Sequence, residues 1–187
     1  MGNERAVMAD MGESMWFVDK ARPIIRELLN GGETVRVEGL GDDVSRLLDM
    51  SCGIDYLHVY HDSGLVWGMA SRVQRIPEGS RPYDTFTVRK ARESGARTEH
   101  EKRVWAIVKG GLYPYLTMQA YTDGDEIASL GIARTVDVMD YVELGLADER
   151  HTGADKVGQA SFYVVSWDRF AGRGYTLLQY HRPQNSA

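Results

Sequence analysis

A single cysteine, Cys52, stands in the 187 residues, so no internal disulfide can form and no cysteine-based zinc cluster can be built. Alone, it reads as a small buried hydrophobe. No apolar run approaches the roughly 20 residues that cross a bilayer. The opening segment MGNERAVMADMGES lacks the apolar centre of a secretory signal. Ala6 occupies the position where N-myristoylation needs Ser or Thr. These absences predict a cytoplasmic protein without a membrane partner. GLGDD has no lysine to complete a phosphate-cradling loop. No Gly-x-Ser-x-Gly elbow exists for a serine nucleophile. No internal repeat or low-complexity tract is present.

What is present is ordinary in amount and uneven in arrangement. Hydrophobic residues make up 43% and charged residues 26% of the chain, enough for one domain with a sizeable core. The net charge is −5, yet residues 71–110 hold ten Lys/Arg against five Asp/Glu, leaving +5 there and −10 elsewhere. A positive patch on an acidic body suits a local polyanion site, whereas a charge run is equally a solvated face.

Residues 1–14 lack periodicity and are predicted to fray, leaving 15–187 as a single domain. MWFVDKARPIIRELLNGG has helical spacing and a Gly C-cap, with Pro23 setting the regular start near Ala21. ETVRVEG reads as a strand and GDDVSRLLDMS as a short helix. Two β-rich runs, residues 54–60 and 65–74, flank His61-Asp62-Ser63-Gly64 and predict a hairpin. TFTVRK should be a further strand, and residues 96–109 a helix packed on the sheet by Val104, Ile107 and Val108. A second hairpin is expected across Asp123-Gly124-Asp125, and Thr135 is the expected N-cap of the next helix. GADKVGQASFYVVSWD and GYTLLQYH supply the last strands. The fold class is α+β, a single domain with a central mixed or antiparallel sheet of six or more strands flanked by helices.

Strand alternation puts Arg72 and Gln74 on one face at the end of their strand, beside Asp55 at the start of its antiparallel neighbour. A carboxylate, a guanidinium and an amide can therefore converge. Such a carboxylate can hold a hard divalent cation, or simply pair with Arg72 across the ladder for roughly 0.2–1 kcal/mol. Thr85, Thr87 and Arg89 share one face of the next strand. On the following helix Glu99 and Lys102 stand at i and i+3, the spacing of a surface ion pair. His58-x-x-His61-Asp62 has ligand residue types, but alternation turns the two histidines to opposite faces, and a histidine there is more often structural. The tyrosines at 113, 115, 121 and 141 have strand spacing and read as sheet residues before stacking platforms.

Together the hairpin, third strand and helix, about residues 54–109, resemble the PD-(D/E)XK nuclease-like superfamily. There a hairpin carries an acid on one strand and an acid-x-lysine on the next, a helix follows, and a metal held by the acids activates water. Asp55 matches the first acid. Ala70-Ser71-Arg72-Val73-Gln74 stands where the acid-x-lysine belongs, so the resemblance assigns the missing groups to the helix, as Glu99 or Glu101 with Lys102. It implies a nuclease acting on DNA or RNA, with Mg²⁺ or Mn²⁺ on Asp55 and Glu99 or Glu101. Lys102 or Arg72 would stabilise phosphorane charge, and Gln74 would orient water or phosphate. Arg89, Lys90, Arg92, Arg97 and Arg103 would track the backbone of the nucleic acid. The alternative is a non-catalytic module that captures a nucleotide, nucleic acid or protein through the same patch, as a phage or defence-related inhibitor would. Homodimerisation is left open.

Overall fold

The computed structural model describes residues 17, 19–37, 42–92, 97–151 and 160–183; the expectations for residues 1–14 and for a helix start at 96 lie outside them. The first helix, α1, is helical at residue 17 and over residues 19–28, so it runs through Pro23 and starts ahead of Ala21. Phe17, Ala21, Ile25 and Leu29 form its buried stripe, one helical turn apart. Strand β1 (Glu33–Arg36) follows, then a short helix α2 (Asp42–Arg46) that widens into a π-helical turn, Leu47–Cys52.

The predicted hairpin is β2 (Tyr56–Tyr60) against β3 (Leu65–Arg75), antiparallel, with Tyr56 opposite Met69 and Tyr60 opposite Leu65. Strand β4 (Thr85–Arg92) and helix α3 (Glu99–Lys109) come next, then the second predicted hairpin, β5 (Leu116–Asp123) and β6 (Glu126–Arg134). Helix α4 (Thr135–Glu143) is followed by β7 (Asp148–His151), β8 (Ala160–Ser166), α5 (Trp167–Gly172) and β9 (Leu178–His181).

The domain is α+β, built on a six-stranded mixed sheet in the order β1-β2-β3-β5-β6-β9 and a three-stranded sheet in the order β4-β8-β7. Strand β4 leaves the first sheet, and β5 takes the place beside β3, in parallel. A parallel neighbour needs a crossover, and α3 lies within it. One core lies between α1 and the large sheet, around Met69, Met118, Leu130 and Ile132. The other fills the space between the two sheets and α4 and α5, around Phe86, Tyr121, Val165, Trp167 and Phe170.

Two helix expectations need correction. Thr135 is not the N-cap of α4. It is the first helical residue, and its Oγ1 lies 2.9 Å from that of Thr117, while Arg134 binds the Asp137 carboxylate through two N–H groups. On α3 the packed positions include Val104 and Ile107, but Val108 is 72% exposed; Arg103 and Ala106 are the buried residues. Residues 99, 103 and 106 lie on one helical stripe, so the face turned inward carries an ion pair rather than a valine.

Candidate functional site

Asp55 is held by backbone before its side chain is considered. The π-helical turn closes at Gly53, whose φ of +68° suits glycine and whose N–H reaches Asp49 O at 2.9 Å. Ile54 N–H then returns to Leu48 O, Asp55 N–H donates to Met69 O at 3.0 Å, and Val37 N–H donates to Asp55 O at 3.0 Å. The residue is thus fixed between β1 and β3. Its Oδ2 accepts the Ser71 N–H at 2.6 Å. Burial pushes its carboxyl up to about 6, with the charges of Asp49 and Glu99 adding and the Ser71 N–H and Arg103 opposing.

Helix α3 aims the second carboxylate. Thr98 caps it in a capping box: Thr98 Oγ1 accepts the Glu101 N–H, and Glu101 Oε2 accepts the Thr98 N–H at 2.7 Å. That bond holds the Glu101 carboxyl below its ordinary range. Glu99, the first helical residue, therefore starts at a defined height. Its Oε1 lies 2.7 Å from Arg103 Nη2, its Oε2 lies 3.7 Å from Arg72 Nη2, and Oε2 also accepts the Arg89 N–H. Lys102 donates to Met50 O at 3.1 Å. Arg72 donates to Thr87 Oγ1 at 3.1 Å, and both its guanidinium and that of Arg89 lie over the Phe162 ring, at 5.2 and 5.6 Å.

A cavity of about 230 Å³ results, lined by Asp49, Cys52, Asp55, Ser71, Arg72, Arg89, Glu99, Lys102 and Arg103, among others. A cleft of about 550 Å³ opens between the two sheets and shares Arg72 and Arg89 with it; Gln74, Tyr83, Tyr121, Arg150 and Phe162 complete its polar and aromatic lining. A larger depression of about 860 Å³, lined by Arg22, Arg26, Glu33 and His61 among others, contains none of the predicted site residues. Its His61 and Glu33 are already paired, at 3.1 Å. The predicted site residues that the fold brings together line the two smaller spaces.

The fold thus brings together Asp55, Arg72, Arg89, Glu99, Lys102 and Arg103 in one cavity, with Gln74 in the adjoining cleft. It does not bring Glu101 there, because that side chain caps α3. Neither does Lys90 line either space; it pairs with Glu149 and lies over Tyr163. Arg97 lies over the Trp105 ring, at 5.6 Å. Arg92 closes β4 with its side chain outside the described residues. Arg103, expected on the surface, is 6% exposed. The carboxylate beside Arg72 is that of Glu99, not Asp55, and Glu99 pairs with arginines rather than Lys102. Cys52 lines the cavity at intermediate exposure instead of filling the core, and burial raises its thiol.

Sequence reasoning missed Asp49, Ser71, Tyr83, Arg150 and Phe162. Asp49 lies in a turn whose π-geometry no periodicity announces, and Ser71 acts through its backbone. His58 is structural as expected: it is buried, burial lowers its ring pKa, and it bridges Thr34 Oγ1 and Gly31 O, each at 3.0 Å.

The donor set can be tested against a divalent ion. Among the described residues no three His, Cys, Asp or Glu side chains are grouped closely enough to hold an ion by themselves. Mg²⁺ does not require that: it commonly keeps several waters and takes one or two carboxylates with substrate phosphates. Asp55 and Glu99 meet this lesser demand, since each ionised carboxylate has about four lone-pair sites and the hydrogen bonds just described leave some of them open. Arg103 Nη1, buried beside them, has no hydrogen-bond partner among the described residues, leaving a donor for an anionic oxygen. Comparison of the chain with family models, with curated proteins and with solved structures finds no match.

Proposed function

We propose that the protein is a metal-dependent, nuclease-like phosphodiesterase acting on DNA or RNA at the cavity between the β2–β3 hairpin and α3. The observation that carries this reading is convergence. Asp55, Glu99 and Lys102 come from segments 44 residues apart in the chain and line one small space with Arg72. Paired acids with a neighbouring ammonium are what phosphodiester hydrolysis at an ion needs.

Asp55 and Glu99 would hold Mg²⁺ or Mn²⁺, and the ion, when bound, supplies Lewis acidity and a water of lowered pKa. The chain's own groups do the rest. Arg72 is already aimed by Thr87 and Glu99, so its guanidinium meets a phosphate without further ordering. Lys102 gives up only a carbonyl acceptor, Met50 O, to turn towards developing phosphorane charge. Asp55 is ionised at neutral pH even with its raised pKa of about 6, and a cation beside it favours that form further.

A second reading has its own support. Glu99 is already neutralised by Arg103 and Arg72, which suits a module that binds a phosphate-bearing ligand without cutting it. One experiment separates the two: single-stranded DNA, RNA and plasmid are incubated with the wild-type protein, Asp55→Asn and Glu99→Gln, in Mn²⁺ or in EDTA. Cleavage by the wild type in Mn²⁺ only, lost in both variants while their fold persists, is expected. No cleavage of any substrate, together with no Mn²⁺-induced shift in melting temperature, leaves the binding module as the account.

A further inference from the structure

We infer that the cleft between the two sheets is a binding site for one unpaired nucleotide, which makes single-stranded nucleic acid the ligand class; this rests on the phosphodiesterase reading for its biological sense but not for its test. Four observations carry it. The cleft is lined by three arginines, Arg72, Arg89 and Arg150, and by no carboxylate among the described residues. Its volume of about 550 Å³ is that of a small-ligand site. A base still paired in a duplex cannot enter such a space, so the occupant must be out of the stack.

Third, one wall carries an available aromatic face. Tyr83 is 46% exposed at the cleft. Tyr121 packs edge-on against it at 6.0 Å and is itself anchored through its hydroxyl to Thr85. A ring braced from behind and open in front is a stacking platform that any base can use. Phe162 is not equivalent, because Arg72 and Arg89 already cover it.

Fourth, two polar side chains in the cleft are not committed elsewhere. Half-buried Gln74 and exposed Arg150 have no side-chain hydrogen-bond or ion-pair partner among the described residues. Gln74 offers both a donor and an acceptor to a base edge, and Arg150 a fork for a phosphate. Arg72 and Arg89 line the cleft and the carboxylate cavity alike, so a strand whose base is stacked on Tyr83 carries its phosphate towards Asp55 and Glu99.

The test is equilibrium binding in EDTA, where cleavage plays no part. Fluorescein-labelled oligothymidylate, oligouridylate and a blunt duplex of matching length are titrated with wild type, Tyr83→Ala and Arg150→Ala. Both substitutions fall on exposed side chains, so folding is kept, and melting curves verify it. The wild type is expected to bind a single strand more tightly than duplex. Each substitution should weaken single-strand binding about tenfold, and Arg150→Ala should lower the salt slope by about 0.7. The relative affinity for the two oligomers tells DNA from RNA. Single-strand binding unaffected by both substitutions, or a duplex bound as tightly and weakened equally, overturns the inference. Binding that behaves as expected without any Mn²⁺-dependent cleavage keeps the cleft and removes the enzyme. Cleavage with unchanged binding in both variants does the reverse.

Discussion

Replacing Asp55 by Asn should stabilise the metal-free protein at neutral pH. The side chain is nearly isosteric, and an Asn oxygen can still accept the Ser71 N–H that now reaches Asp55 Oδ2 at 2.6 Å. What disappears is a charge the fold tolerates poorly, since burial together with Asp49 and Glu99 lifts the carboxyl from 3.8 to about 6. A group whose folded pKa is raised binds its proton more tightly in the native state. Its favourable contribution is complete below about pH 4, is lost as pH rises through 6, and leaves a constant penalty above. Two pKa units correspond to about 3 kcal/mol. The weaker hydrogen bond from Ser71 to a neutral acceptor offsets part of this, so Asp55→Asn should gain about 1–3 kcal/mol at pH 7.5 and nothing near pH 4. Urea unfolding in EDTA at both pH values measures the difference. An Asn variant equal to or less stable than wild type at pH 7.5 would refute the reasoning and mean that a cationic partner balances Asp55. Mn²⁺ should reverse the order by stabilising only the wild type.

Two further outcomes follow from α3. Thr98→Ala removes the hydroxyl half of the capping box, leaving the residue-98 backbone N–H to donate to Glu101, and should cost about 1 kcal/mol in urea unfolding and lower Mn²⁺ affinity by shifting Glu99; an unchanged midpoint would mean the cap carries no stability. Arg103→Ala leaves Glu99 without its 2.7 Å partner and should cost about 3 kcal/mol, whereas adding Glu99→Ala should recover part of that loss; strictly additive losses would show that the two side chains do not interact.

The large elements were legible because their signals are local. Alternation in residues 54–60 and 65–74 around a Gly-containing turn marks the first hairpin, and Asp123-Gly124-Asp125 marks the second. Strand β7 reads Asp-Glu-Arg-His and is exposed throughout, so no hydrophobic pattern announced it. Helix α5 spans six residues, too few for a helical period to emerge, and only the burial of Trp167 and Phe170 explains why it forms. On α3, Arg103 was read as a surface cation because long basic side chains are rarely buried without a partner; Glu99, one turn away, supplies that partner.

The sequence by itself determined which side chains share a face: Thr85, Thr87 and Arg89 on β4, and Arg72 and Gln74 on β3, follow from a period of two. It also set the helical turn that separates Glu99 from Arg103. Only the tertiary structure decided which faces meet. Strand β4 leaves its neighbour in sequence to pair with β8, and β5 takes its place beside β3. That exchange turns Thr87 and Arg89 towards Arg72, lets Phe162 and Arg150 into the cleft, and sets α3 so that Glu99 faces the cavity of Asp55. Strand pairing and a parallel crossover are contacts between residues far apart in the chain. Their energy comes from burying Phe86, Val165 and Trp167 between the sheets, which no local period encodes.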